Sequence, residues 1–168
     1  MERIFYSSFR SPLLKNVFVA STEKGVCMVD FSRPEKISLK RLKERFPGEV
    51  VRDDRKNRSV IVQLKKYLKG KLKRFDCPLE FRGTPFEKKV WSALSKIPYG
   101  QTRSYKDIAE AIGHPKAFRA VGNANGNNFI PLIIPCHRVI ESNGGLGGFG
   151  HGIKAKRRLL SLENFRGF

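Results

Sequence analysis

Acidic side chains are scarce in this chain of 168 residues, where 15 Asp and Glu stand against 34 Lys and Arg for a formal net charge of +19. Such an excess is larger than solubility requires and points to a polyanionic partner. Nucleic acid comes first and a membrane surface second; a Lys-rich solvated surface, as in proteins of heat-loving organisms, would carry similar charge. Cutting after residue 78 leaves 20 basic and 9 acidic residues before the cut and 14 and 6 after it, so neither half is merely a basic tail. Cysteine is sparse too. Cys27, Cys77 and Cys136 form an odd set without Cys-x-x-Cys spacing, which argues against a disulfide framework and suits a reducing compartment. His114, His137 and His151 all lie in the second half, not spaced as zinc ligands with Cys27 or Cys77, so no metal is expected. No window approaches the roughly 18 apolar residues of a membrane span, and the first eight residues lack the apolar core of a signal peptide. A cytoplasmic location, or a nuclear one in a eukaryote, follows as the expectation.

What is present divides the chain in two. Arg3 to Phe9, Asn16 to Ser21 and Gly25 to Phe31 are short, rich in Phe, Val, Ile and Tyr, and separated by turn signals, which predicts strands. Ser38 to Phe46 and Asn57 to Leu72 carry apolar residues at helical spacing. Lys69 to Pro78 is basic and helix-breaking, and reads as a linker closing an N-terminal domain of residues 1–78. Residues 79–168 then form a mostly helical second domain. Thr84-Pro85-Phe86-Glu87 is a capping box with proline at the first helical position, heading a helix whose Phe86, Val90, Leu94 and Ile97 form one apolar stripe. Ser104 caps a short helix with Asp107 at its third position, and Pro115 opens another through about Ala124. Two short helices joined by Gly113-His114-Pro115 predict a helix-turn-helix. Ala117, Ala120, Gly122 and Ala124 surround Arg119 on the second of them; small side chains there permit close approach to DNA, and serve equally for close helix packing. The predicted fold is α+β: a small sheet-plus-helix domain, then a helical, winged-helix-like one.

The chemistry is concentrated in Ile134-Pro135-Cys136-His137-Arg138-Val139, which sets a thiol beside an imidazole and a cation. A thiol with a reference pKa of about 8.5 is a weak nucleophile until its surroundings favour the thiolate. This string resembles the active-site motif of the O6-alkylguanine-DNA alkyltransferases, also called methylated-DNA-protein-cysteine methyltransferases, and the resemblance extends from about Thr84 to Glu163. It implies transfer of the alkyl group from O6-alkylguanine, and from O4-alkylthymine, in double-stranded DNA to Cys136 by a monomer that reacts once, without a cofactor.

The resemblance also implies residue roles. His137 acts on Cys136 through a water and is oriented by Glu163, 27 residues beyond the cysteine; a plain helix-terminal carboxylate is the alternative for Glu163. Consecutive side chains do not face each other, so a direct thiol–imidazole pair is not expected. Tyr105 corresponds to a proton donor to guanine N3, and Arg119 to a finger that fills the stack when the nucleotide is flipped out. Ser104, Ala120 and Gly122 fall on the DNA-binding surface, and Asn128 supports the active-site segment. Val139, Leu146, Phe149 and Gly150 border the base pocket, with a carbonyl at Val139 and an N–H at Gly150 reading the guanine. Phe149 stands where many relatives have Tyr, and Gly150 where some have Ser, so hydroxyl contacts at both positions are lost. Gly145 to Gly150 also matches Gly-x-Gly-x-x-Gly, but without the strand, helix and acidic residue of a dinucleotide site. Three rivals differ in what they need. A non-catalytic damage-recognition relative would not need Cys136, a DNA-binding regulator would not need Cys136, His137 and Glu163 together, and a cysteine hydrolase would turn over.

Overall fold

The computed structural model describes residues 1–165 and Gly167, and divides them into two compact units, 1–81 and 82–168. In the first unit β1 (Arg3–Ser11), β2 (Lys15–Thr22) and β3 (Gly25–Phe31) form an antiparallel meander. After α1 (Glu35–Arg45), a short β4 (Glu49–Arg52) returns parallel to β1, so the sheet order is β3-β2-β1-β4. α2 (Arg58–Leu68) completes the unit. Central β2 is buried on both faces, with Val17, Phe18, Val19 and Ala20 all excluded from water, as expected of a strand covered on two sides.

β4 escaped the sequence reading because Pro47-Gly48 reads as a turn and only Val50-Val51 follows. Its place is fixed by Gly48, where a Cβ would lie 2.6 Å from the Glu2 carbonyl oxygen. The linker expected from Lys69 to Pro78 also differs in part. Gly70, at φ 74°, ends α2 with Gly70 N–H donating to Tyr67 O and Lys71 N–H to Lys66 O, the Schellman pattern, four residues before the predicted end at Leu72. Residues 78–80 are then held on β3: Val26 N–H donates to Pro78 O at 2.9 Å and Glu80 N–H to Val26 O at 2.8 Å. Asn57, expected inside the helix, turns inward at its start; its amide donates to Phe5 O and Ser7 Oγ and accepts from Ser21 Oγ, knitting strands instead of capping.

The second unit runs α3 (Pro85–Leu94), β5 (Arg103–Ser104), α4 (Tyr105–Ala111), α5 (Phe118–Gly126), a 3₁₀ turn (Cys136–Arg138), β6 (Val139–Ile140) and α6 (Ile153–Leu162). The capping boxes at Thr84 and Ser104 are both formed. α5 starts at Phe118, three residues after Pro115, because Ala117 N–H donates to His114 O and makes residues 114–117 a turn. The two short helices pack on each other and on α3, whose Trp91 indole donates to Ala124 O at 2.8 Å. Among the described residues no helix is long and apolar enough to cross a membrane.

Candidate active site

The backbone around Cys136 is fixed before any side chain acts. Pro135, at φ −81° and ψ 66°, is the centre of an inverse γ-turn in which Cys136 N–H donates to Ile134 O at 2.8 Å. A tight turn precedes it: Ile134 N–H donates to Ile130 O, and Leu132 takes a φ of 74°. Asn128 spans this turn, its amide donating to Ile134 O at 2.9 Å while its side-chain oxygen accepts from Ile130 N–H at 2.9 Å. Asn125, on α5, donates to Cys136 O at 3.4 Å. The nucleophile candidate is therefore hung from the C-terminal end of the second helix of the helix-turn-helix. On its other side, β6 pairs in parallel with β5, Arg103 with Val139 and Ser104 with Ile140. That pairing connects the Cys136 turn to Tyr105, the first residue of α4.

Behind the cysteine lies a buried ionic cluster. Glu163 follows directly on α6 and is buried with His137 and Arg138. Its Oε2 is 2.7 Å from His137 Nε2 and accepts from Arg138 Nη2 at 3.0 Å; its Oε1 accepts from Arg138 Nε at 2.8 Å and from Gly100 N–H at 3.1 Å. Arg138 also donates to Ile97 O at 2.7 Å and lies over the Tyr99 ring. Burial alone would raise the Glu163 carboxyl, but the bonds from His137 and Arg138 outweigh it and hold the group far below the usual carboxylate range. For His137 burial prevails over the carboxylate and lowers its pKa, keeping the ring neutral near pH 7. With Nε2 donating to Glu163, the neutral ring carries its lone pair on Nδ1.

Cys136 is buried, and burial pushes its thiol up to about 11, against the opposing pull of the Asn128 amide, the Lys156 charge and nearby backbone N–H groups. Ionising it at pH 7.5 costs about 5 kcal/mol, so a reactive sulfur here needs a partner to accept its proton. Tyr105 is half-buried between α5 and the glycine loop. Its ring is 3.9 Å from where a Gly122 Cβ would stand, and its hydroxyl 2.9 Å from a Cβ at Gly147, whose φ is 71°. Burial first, then Glu141 and Cys136, raises its pKa, so the phenol stays protonated at neutral pH.

The remaining sequence-predicted residues fall on three surfaces. Arg119 and Ala120 are exposed near the start of α5, beside Phe118, and Gly122 is partly covered by Tyr105. Ser104 spends its hydroxyl on the α4 cap, accepting from Asp107 N–H at 3.0 Å. Leu146 and Phe149 are half-buried and Gly150 exposed in the loop between β6 and α6, where Phe149 packs against His151. Val139 is fully buried and its carbonyl already accepts a bond; a carbonyl oxygen has a second lone pair for a base.

The donor of that bond is a residue the sequence reading passed over. Lys156, on α6, is fully buried, and its ammonium donates to Val139 O at 2.6 Å and Gly148 O at 3.2 Å. It ties the glycine loop to β6 and adds positive charge near Cys136. Burial lowers its pKa to about 8, opposed by Cys136 and Glu141. Four Lys and Arg stand between Lys154 and Arg158, so nothing but the apolar phase of α6 marks Lys156 as the inward one.

The chain matches the 6-O-methylguanine DNA methyltransferase family in both units, the ribonuclease-like domain over residues 4–81 and the DNA binding domain over residues 85–165. This chain belongs to that family. The methyltransferase family thus accounts for the N-terminal unit as well, where the sequence offered no motif. Similar proteins include the methylated-DNA–protein-cysteine methyltransferase of Methanosarcina barkeri, 43% identical over 95% of this chain and 97% of its own length. The inducible methylated-DNA–protein-cysteine methyltransferase of Bacillus subtilis is 46% identical over 88% of this chain and 84% of its length. The crystal structure of Mycobacterium tuberculosis OGT in complex with DNA superposes with a TM-score of 0.82 at 40% identity, over 95% of this chain and 92% of that one. The O6-methylguanine-DNA methyltransferase of the hyperthermophilic archaeon Pyrococcus kodakaraensis superposes at 0.67 with 28% identity, over 95% and 98%. The α+β fold with a helical second half is that of these family structures.

Proposed function

We propose that this protein repairs DNA by moving the alkyl group of O6-alkylguanine, and of O4-alkylthymine, onto Cys136 in a reaction each molecule performs once. The observation that carries the reading is the buried Cys136 turn backed by His137, Glu163 and Arg138, in a chain of the methyltransferase family. The helix-turn-helix docks on the duplex through Ala120, Gly122 and Ser104, and Arg119, exposed on α5, fills the gap left when the damaged nucleotide swings out. Extrusion is required because a sulfur held in a buried turn cannot reach the O6 substituent inside a base stack. The base enters between Tyr105 and the glycine loop, bordered by Val139, Leu146, Phe149 and Gly150, with Asn128 holding the turn.

The thiol proton passes through a water to Nδ1 of His137, whose opposite nitrogen is held by Glu163. Sγ attacks the alkyl carbon as the carbon–O6 bond breaks, and that bond's electron pair stays with the purine. Tyr105, kept protonated by its surroundings, gives its proton to N3, so the base leaves as neutral guanine; exchange with solvent restores Tyr105 and His137. The thioether has no carbonyl for water to attack, which makes the step irreversible. The protein acts as a monomer and without a cofactor, in the cytoplasm or, in a eukaryote, the nucleus.

The test is transfer of radiolabelled methyl from duplex DNA containing O6-methylguanine, with protein limiting. One methyl per wild-type molecule and none on Cys136→Ser is the expected result. Tight damage-dependent binding without transfer would indicate a recognition protein, and continued turnover would indicate a hydrolase; either overturns the reading.

A further inference from the structure

The N-terminal unit carries charge that nothing in the alkyl-transfer site uses. Between Arg58 and Arg74 the chain holds seven Lys and Arg and no acid, and all seven are exposed. Elsewhere in the unit acids are interspersed, eight Asp and Glu among residues 1–57, and several cations are ion-paired: Arg3 with Glu49, Arg52 with Glu35 and Asp54, Lys56 with Glu23, and Arg33 and Arg41 with the buried Asp30. Arg58, Lys65, Lys66, Lys69, Lys71 and Arg74 have no ion pair with any described residue.

Helix stabilisation explains part of this. Lys65 and Lys66 occupy the last turn of α2, where cations suit the helix dipole. Arg58, however, is the first helical residue, the wrong end for a cation, and no acid offsets it in that turn. Lys71 and Arg74 lie beyond the helix altogether. On α2 the positions 58, 62, 65 and 69 share one stripe, about 16 Å long at 1.5 Å per residue, and its only uncharged member, Val62, is 44% exposed. The Lys65–Lys69 end continues round a groove of about 570 Å³ to Arg10 at the end of β1, with Lys65 lying over the Phe9 ring. Like charges gathered this closely destabilise the folded chain by mutual repulsion unless a polyanion meets them.

We infer that the α2 face and the basic segment after it, residues 58–74, form a second DNA-phosphate contact surface, additional to the helix-turn-helix and blind to the lesion. This rests on the reading of the protein as a DNA-repair methyltransferase, since that supplies the polyanion. Contact with phosphates carries no base information, so the surface adds affinity for any duplex and steepens its salt dependence.

The test compares full-length wild type with K65Q/K66Q/K69Q/K71Q, and with K24Q/K36Q/K40Q/K43Q, which removes the same charge from exposed lysines outside this surface. Binding to undamaged duplex is measured from 50 to 200 mM salt. Each phosphate contact contributes about 0.9 to the slope of log affinity against log salt, so the α2 variant is expected to be shallower by about 2 or more and the control to stay near wild type. Reaction with a free nucleobase, O6-benzylguanine, should be equal in all three. Equal slopes for the α2 variant and wild type, or an equal drop in the control, overturns the inference. A wild type that neither binds DNA nor transfers methyl refutes the repair reading instead, and the two failures are thereby distinct.

Discussion

Replacing Glu163 with Gln removes one charge and little volume, and tests the ionic cluster behind Cys136. Among the described residues four donors converge on the carboxylate, with His137 and Arg138 Nη2 on one oxygen and Arg138 Nε and Gly100 N–H on the other. Gln can accept at only one end, so whichever way it lies its amide nitrogen faces one of these pairs, and Arg138 is left buried without a compensating charge. Removing one partner of such a buried pair costs about 3–5 kcal/mol, a large share of the 5–15 kcal/mol typical of a domain. The variant should stay folded at 25 °C with a lower urea midpoint and an unchanged m-value. Its transfer rate should fall on the order of 10²-fold or more, because the tautomer of His137 is no longer dictated. The pH dependence gives an independent check. The folded carboxyl is depressed below its unfolded value, so its stabilisation is fully present above the ordinary carboxylate range and drains away as pH falls toward the folded value. Wild type should therefore lose stability below about pH 4.5 more steeply than the variant. Unfolding within about 1 kcal/mol of wild type, together with wild-type transfer rates, would refute the reasoning.

Lys156→Met should slow alkylation of Cys136 by a small reagent at pH 7 and slow methyl transfer, since at that pH it removes a charge that favours the thiolate and frees Val139 O and Gly148 O. An unchanged alkylation rate at pH 7 would show that Lys156 only packs. Gly147→Ala should leave the fold intact but slow transfer, because its Cβ would lie 2.9 Å from the Tyr105 hydroxyl at a backbone φ of 71°; DNA affinity measured beside the rate should change little. Thr84→Ala removes the hydroxyl that accepts from Glu87 N–H and caps α3, while the bond from Thr84 N–H to Glu87 Oε1 can persist; it should lower stability by about 1 kcal/mol in urea melts without changing the transfer rate.

Local signals were legible where residues near in sequence decide the structure. The two capping boxes depend on residues three apart, and both appear as read. β3 has the bounds its Val and Phe pattern gave. β4 was not legible, because a four-residue strand with one half-buried residue has no period of its own and exists through its pairing with β1. The same limit applies at the candidate site. Arg138 stood in the motif, yet its role was unreadable until α6 brought Glu163 across 25 residues to accept two of its bonds. Lys156 was hidden among lysines and arginines that differ from it only in the direction they face.

The proposed transfer asks a thiol this reluctant to ionise to serve as a nucleophile. A sulfur whose pKa burial pushes up to about 11 is protected from adventitious electrophiles at neutral pH, which suits the single use proposed for it. In the proposed reaction its activation comes from groups already in place: a neutral His137 held by Glu163 to take the proton, Asn128 and Lys156 to favour the anion, and Tyr105 to discharge the leaving base. Asn125 and Asn128 hang the cysteine turn from the end of α5, and the β5–β6 pairing links the same turn to the start of α4. Both helices of the DNA-binding motif are thus connected to Cys136 through short, hydrogen-bonded segments. In the proposed reaction these connections would let docking on a duplex place the sulfur beside the base, with the cost of ionisation met only where a base has entered to receive the attack.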